Sequence, residues 1–179
     1  MTVDDNTLLK MLASPETKRK AFGLIVSQYS EMLYWKIRHF VLYHEDADDV
    51  MQNVLMKAWM NIDRFKADSK ISTWLYSIAV NESLDFLRRK KNVADADADL
   101  YAARHLMADE YFDGDATEAL LQEAIAQLPD MQRTVFLLRY YDEMKYSEMS
   151  KVLDTTEGAL KASYHHAVKK IEEFFHSHD

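Results

Sequence analysis

Cysteine is absent from this chain of 179 residues. That excludes disulfides, thiolate zinc sites and cysteine nucleophiles, and it fits a reducing cytoplasm. Only three glycines and two prolines occur, against about twelve and about nine at average usage. Tight turns are therefore scarce, which disfavours hairpin-rich sandwiches, barrels and glycine-rich phosphate loops. No stretch approaches the ~20 apolar residues of a membrane span. The N-terminus, Met-Thr-Val-Asp-Asp, is acidic and does not read as a secretory signal. What remains is 48% hydrophobic and 29% charged, enough apolar material for a core and too much for global disorder. The expectation is a soluble, intracellular, mostly helical protein. No fixed-period repeat and no convincing strand alternation interrupts that picture.

Charge is unevenly placed. The formal net charge is -8, and residues 92–123 alone hold nine acids against the single Arg104. That segment is as negative as the whole chain, and the remainder is close to neutral, with basic clusters at Arg88-Arg89-Lys90-Lys91 and at Lys161, Lys169 and Lys170. A pI of about 5.3 argues against nonspecific duplex binding, because phosphate neutralisation needs lysine and arginine. Two local basic faces stay compatible with DNA if the acidic segment is held elsewhere. Read more plainly, Arg88–Lys91 is a solvated helix end that complements the helix dipole, and the acidic run is a solvated linker.

Apolar steps of three and four run through Phe22, Ile25, Val26, Tyr29, Leu33, Ile37, Phe40 and Val41 and mark an amphipathic helix over 18–43. The polar stretch 44–49 breaks it and supplies acids for the first turn of a second helix. That helix carries Val50, Val54, Leu55, Ala58, Trp59 and Ile62 on one side. Residues 63–70 read as a loop, and a third helix over 72–91 buries Leu75, Ile78, Ala79 and Leu87. Residues 92–115 read as an acidic linker with a helical turn near 100–107. Helices at 116–128 and 131–141, a short one capped by Ser147 and ending at Leu153, and a last one over 158–175 complete the pattern. The fold expected is all-α: two small helical domains, an N-terminal bundle and a C-terminal helix-turn-helix, joined by an acidic linker.

The short helix, tight turn and longer helix form a helix-turn-helix. The longer helix begins with small or polar residues: Gly158, Ala159, Lys161, Ala162 and Ser163. Small side chains there let a backbone approach the major groove, where Lys161, His165 and His166 reach base edges or phosphates. A plain bundle with an exposed last helix has the same spacing.

At these residues a family resemblance emerges. Leu128-Pro-Asp-Met-Gln-Arg-Thr-Val-Phe-Leu-Leu-Arg-Tyr-Tyr, Tyr146-Ser-Glu-Met-Ser-Lys-Val-Leu and Glu157-Gly-Ala-Leu-Lys-Ala-Ser-Tyr-His-His-Ala-Val-Lys-Lys-Ile resemble region 4 of extracytoplasmic-function (ECF) sigma factors of the sigma-70 family. Independently, Asp46-Ala-Asp-Asp-Val-Met-Gln-Asn-Val-Leu-Met-Lys-Ala-Trp resembles region 2.2. Phe65, then Ser72-Thr-Trp-Leu-Tyr-Ser-Ile-Ala-Val-Asn-Glu-Ser-Leu-Asp-Phe-Leu-Arg-Arg, resembles regions 2.3 and 2.4. The resemblance covers about 18–91 and 116–175, in the family's order. It divides the chain into an N-terminal extension (1–17), region 2 (18–91), an acidic linker (92–115) and region 4 (116–179).

The resemblance implies a transcription initiation factor that binds core RNA polymerase, directs it to promoters and opens the DNA. Region 2.2 of the family docks on the clamp helices of the largest subunit. Asp46, Asp49, Gln52 and Asn53 match that surface, with Asn53 standing where members usually carry glutamate. For the minus-ten element the matching residues are Lys66, Lys70, Trp74, Asn81, Asp85, Arg88 and Arg89. Loop 65–72 corresponds to the family's base-capturing loop, and Trp74 is ambiguous, since a tryptophan in a helix beside Leu75 and Ile78 is more often core. Asn81 and Asp85 suit base edges; Arg88 and Arg89 suit phosphates. For the minus-thirty-five element they are Gly158, Ala159, Lys161, Ala162, His165, His166 and Lys169. Members often have arginine where Ser163 and His166 stand, so binding leans on Lys161, backbone donors and DNA shape.

Further partners implied are the flap of the second-largest subunit and an anti-sigma factor. The place implied is the cytoplasm, nucleoid-associated in holoenzyme or held at the membrane by an anti-sigma factor, with no direct membrane insertion. In the family the linker threads near the active-site and RNA-exit channels, and Asp95, Asp97, Asp99, Asp109 and Glu110 suit that role. In the free chain they could fold back on the basic faces. No catalytic residue, metal or cofactor is expected: there is no His-Glu-x-x-His spacing, Glu148 and His165 lack motif partners, and His176 and His178 read as tail residues. Two rival readings remain at this point, an autonomous helix-turn-helix regulator of duplex operators and an all-helical enzyme.

Overall fold

The computed structural model describes residues 2–65, 69–93, 98–108, 112 and 114–178, with backbone alone at 91–93, 98 and 99. Among these residues every regular element is helical, so the all-α expectation holds. The order is α1 (Asp5–Leu12), α2 (Pro15–Phe40), α3 (His44–Asn61), a 3-10 turn (Ile62–Arg64), α4 (Ile71–Val93), α5 (Ala98–Arg104), a 3-10 turn (Leu106–Ala108), α6 (Ala116–Ala126), α7 (Asp130–Tyr140), α8 (Tyr146–Leu153) and α9 (Glu157–His176). The chain divides into two compact units. One comprises Met1–Val41 and Glu45–Arg88; the other comprises Leu42–His44 and Arg89–Asp179.

In the first unit, α1 is a short helix that apolar periodicity does not reveal. Asp4 caps it, its Oδ1 accepting from Thr7 N–H at 3.0 Å. The hydroxyl of Thr7, with the same residue's backbone N–H, holds the Asp4 carboxyl below its ordinary value. Leu8 is fully buried and anchors α1. Gln28 of α2 clasps the peptide of Val3 from both sides, accepting from Val3 N–H at 2.9 Å and donating to Val3 O at 3.2 Å. The α2 helix begins at Pro15, a first-turn position where a missing N–H costs nothing. Its buried positions are Ala21, Ile25, Leu33, Ile37, Arg38 and Phe40. From α3 come Ala47, Val50, Val54 and Ala58, and from α4 Ile71, Leu75, Ala79, Val80 and Leu84. Ile78 and Leu87, expected in the core, are only half-buried. Phe22 and Trp59 meet edge-to-face at 5.0 Å, with Lys18 Nζ over the Trp59 ring and 2.6 Å from Asp63.

In the second unit, α7, α8 and α9 pack around Val135, Leu137, Leu138, Met149, Leu160 and Ala167. The phenol of Tyr141 donates to Glu118 Oε1 at 2.6 Å and accepts from Gln122 Nε2 at 2.7 Å, tying α6 to the end of α7. Burial and the Glu118 carboxylate push that phenol far above its ordinary range, so it stays a donor. Segment 92–115 contains α5 and a 3-10 turn, and α5 packs on α6. Leu42, Ala102 and Ala103 form a small buried cluster with Tyr43 and Ala126 against it. The expectation that Ser147 caps α8 is corrected: the helix starts at Tyr146, and the N-cap Lys145 has its backbone N–H accepted by Glu148 Oε2 at 3.2 Å. Ser147 sits inside the first turn, where its short side chain has no terminal donor to reach. Asp154 ends α8 in the left-handed conformation, φ 49°. This is the tight turn of the helix-turn-helix, made by an aspartate where glycine is commonest.

Candidate polymerase and promoter surfaces

Three helix faces collect the residues singled out from sequence. The first is the outer side of α3. Ala47, Val50, Val54 and Ala58 point inward, which leaves Asp49 and Gln52 exposed, with Asp46 and Asn53 half-buried beside them. Met56 and Met60, 55% and 70% exposed, continue the line from Asp49 and Gln52 at helical spacing. Sequence reasoning missed both methionines. The signal was present, since neither falls on the inward steps of α3. An exposed polar-to-methionine stripe suits a protein partner, because methionine adapts to a facing surface and polar groups fix orientation.

The second face lies on α4. Asn81, Asp85, Arg88 and Arg89 are all exposed, and the first three share one side at steps of four and three. Arg88 Nη1 meets Asp85 Oδ1 at 3.0 Å across solvent, a contact that salt screens and that yields to a stronger anion. Beside this face is a cavity of about 380 Å³ lined by Lys57, Asn61, Arg64, Trp74, Ile78, Asn81 and Glu82. Trp74, for which the sequence favours a core position, lies instead on its wall. The ring is half-buried, with the Phe65 ring 5.1 Å away. Core duty in this turn falls to Leu75 instead. Lys57 forms an ion pair with Glu82, whose side chain is only 7% exposed. The pairing neutralises a carboxylate that would otherwise repel phosphate from the cavity. Lys57, Asn61 and Arg64 were not foreseen as part of this site, because they come from α3 and the turn after it. Lys70 is exposed just before α4, whereas Lys66 lies outside the described residues.

The third face is the solvent side of α9. Leu160, Ala167 and Ile171 are buried, while Gly158, Ala159, Lys161, Ala162, His165, His166 and Lys169 are all exposed. A Cβ on Gly158 would meet nothing within 4 Å, so the fold itself does not demand glycine there. Thr156 caps the helix, its Oγ1 accepting from Ala159 N–H at 3.3 Å. The Tyr146 ring of α8 lies between two cations, 5.7 Å from Lys161 Nζ and 5.2 Å from the Arg139 guanidinium carbon. Arg139 also donates to Met144 O at 3.1 Å. The ring thus restrains Lys161 on the exposed face. Of the linker acids, Asp95, Asp97, Asp109 and Glu110, and the side chain of Asp99, lie outside the described residues. Among the described residues no cluster of metal-ligand type occurs, and no helix is long and apolar enough to cross a membrane.

Comparison with known proteins matches residues 25–93 to Sigma-70 region 2 and residues 118–171 to Sigma-70, region 4. The ECF RNA polymerase sigma factor SigW of Bacillus subtilis is 33% identical over 156 residues, covering 81% of this chain and 83% of its own. This chain belongs to the ECF sigma factors of the sigma-70 family. The RNA polymerase sigma-H factor of Pseudomonas aeruginosa is 29% identical over 165 residues, covering 86% of each chain. The fold agrees as well. CnrH, solved in complex with the cytosolic domain of CnrY, has a TM-score of 0.67 at 23% identity, covering 98% of this chain and 99% of that one. The sigma factor RpoE of Bartonella quintana, solved with the anti-sigma factor NepR, has a TM-score of 0.65 at 20% identity, covering 87% and 97%. As an ECF sigma factor, the protein directs RNA polymerase to promoters and is not an autonomous operator-binding regulator.

Proposed function

We propose that the three exposed faces divide the work of a sigma factor. The α3 face, Asp46, Asp49, Gln52 and Asn53 extended by Met56 and Met60, docks on the clamp helices of the polymerase's largest subunit. The α4 face and its cavity take the displaced minus-ten strand. Trp74 stacks a base, Asn81 and Asp85 contact base edges, and Lys70, Arg88 and Arg89 hold phosphates. The solvent face of α9 reads the minus-thirty-five duplex, Gly158, Ala159 and Ala162 allowing close approach while Lys161, His165, His166 and Lys169 reach bases or backbone. In this reading residues 18–91 act as region 2, 116–179 as region 4, and 92–115 connect them. The second unit also meets the flap of the second-largest subunit.

The observation that carries this reading is the cavity lined by Asn81 at one end of the α4 face, walled by Trp74 and by the cationic Lys57 and Arg64. A convex helix face suffices for groove contacts, whereas a base drawn out of the stack needs a concavity. The protein performs no chemistry of its own in this account; polymerisation belongs to the core enzyme. It acts in the cytoplasm, associated with the nucleoid when in holoenzyme. The neighbours CnrH and RpoE were each solved with a partner protein, which supports an anti-sigma partner here, able to hold the protein at the membrane. Run-off transcription with purified chain, core polymerase and candidate promoters tests the reading. Asp49→Ala should lower transcript yield at limiting sigma and recover at high concentration. Equal yield at every concentration would remove Asp49 from the docking surface.

A further inference from the structure

Among the described residues, no local side chain caps the start of α4. Its first intrahelical bond runs from Trp74 N–H to Lys70 O at 3.1 Å, which makes Lys70 the residue at the cap position. A lysine side chain has three donors and no acceptor, so it cannot satisfy the orphan N–H groups of the first turn. Ile71, the first helical residue, is fully buried, and its N–H has no water to turn to. The acceptor comes from sixty-six residues away: Ile71 N–H donates to Asp5 Oδ2 at 3.0 Å. The other oxygen, Asp5 Oδ1, accepts from the Tyr29 hydroxyl at 3.2 Å. Asp5 is itself placed by α1, which Asp4 caps, Leu8 anchors and Gln28 clasps at Val3. Of two adjacent aspartates, one starts its own helix and the next starts α4.

We infer that Asp5 is a positioning residue for promoter opening: from α1 it caps α4 and so sets the first turn, from Ile71 to Trp74, that walls the strand-capture cavity. The inference rests on the proposed role of α4 in minus-ten capture. A carboxylate at this end of α4 also matches the positive end of the helix dipole. Trp74 lies three residues beyond the capped N–H, so loosening that turn moves the ring that faces Phe65 across 5.1 Å. The outer face of α3 and the whole of α9 make none of these contacts, so the effect of losing the cap is selective.

The test uses holoenzyme assembled with the full chain and a fluorescent single-stranded minus-ten oligonucleotide, with core affinity measured in parallel. Asp5→Ala is expected to weaken oligonucleotide binding about fivefold or more and to slow open-complex formation, with core affinity unchanged. Asp5→Asn keeps an acceptor for Ile71 N–H and should restore wild-type binding. Tyr29→Phe removes only one hydroxyl and should give the same selective defect at about twofold, which keeps the test open if Asp5→Ala folds poorly. Trp74→Ala and Arg88→Ala serve as controls for α4 itself. Wild-type binding by Asp5→Ala and Tyr29→Phe, where the two controls are defective, overturns the inference. So does an Asp5→Ala defect that extends equally to core affinity. Intact oligonucleotide binding by both controls overturns the assignment of α4 instead.

Discussion

The two faces proposed for DNA are both helical, yet they are built on opposite plans. On α4 the exposed row of Asn81, Asp85 and Arg88 starts at a cavity lined by Asn81, with an aromatic wall, a buried Glu82 and two cationic side chains, Lys57 and Arg64. On α9 the exposed row is convex and starts with Gly158, Ala159 and Ala162, and Lys161 is steadied over Tyr146. The ligands proposed for the two faces account for the difference. A strand drawn out of a duplex offers flat bases and a flexible backbone, which reward stacking and enclosure. An intact groove offers edges at fixed depth, which reward a slim helix that intrudes little. In the proposed reading, one chain carries a receptor for an opened strand and a probe for a closed one.

The sharpest way to break this comparison is to reverse charge on the exposed face of α4. Arg88→Glu with Arg89→Glu should lower run-off transcription roughly 100-fold, since two phosphate contacts become repulsions of about 1–1.5 kcal/mol each. Duplex minus-thirty-five binding should be untouched. An equal loss on both elements would show that the two faces do not act separately. Next in size is Trp74→Ala, expected to weaken binding of a single-stranded minus-ten oligonucleotide about tenfold, within the ~1–3 kcal/mol that a stacked base contributes. A promoter fragment carrying only the duplex minus-thirty-five element should not sense the change. The smallest effect belongs to α9. Lys161→Ala should weaken holoenzyme binding to that duplex about fivefold, equally for all sequences. It should also reduce the slope of log affinity against log salt by about 0.9, the signature of one phosphate contact. A sequence-dependent loss would instead assign Lys161 to a base.

Much of this could be read from the chain alone, for identifiable reasons. Steps of three and four brought out α2, α3, α4, α6, α7 and α9, because a buried stripe imposes its period on the sequence. The same periodicity passed over α1, a helix of two turns with Leu8 as its one buried residue. It placed Ile78 and Leu87 in the core although they are half-buried, since period reports a side of the helix and not depth. Ser147 was a reasonable cap by type, but Glu148 reaches back to Lys145 and starts α8 earlier. On the α3 face the polar residues were legible by motif, whereas Met56 and Met60 could be placed outward only by period, since neither falls on the inward steps of α3.

Residue order alone therefore determined the all-helical class, the separation of the acidic segment from the basic clusters and the pairing of two family regions in sequence. Each is a local property, set by period, composition or motif. Only the tertiary structure decided that Lys57, Asn61 and Arg64 share a cavity with Trp74 and Asn81, that Tyr146 steadies Lys161, and that Asp5 completes a helix beginning sixty-six residues later. Those contacts join atoms far apart along the chain, and nothing in local pattern records which distant partner a carboxylate or a ring will meet once the core has packed.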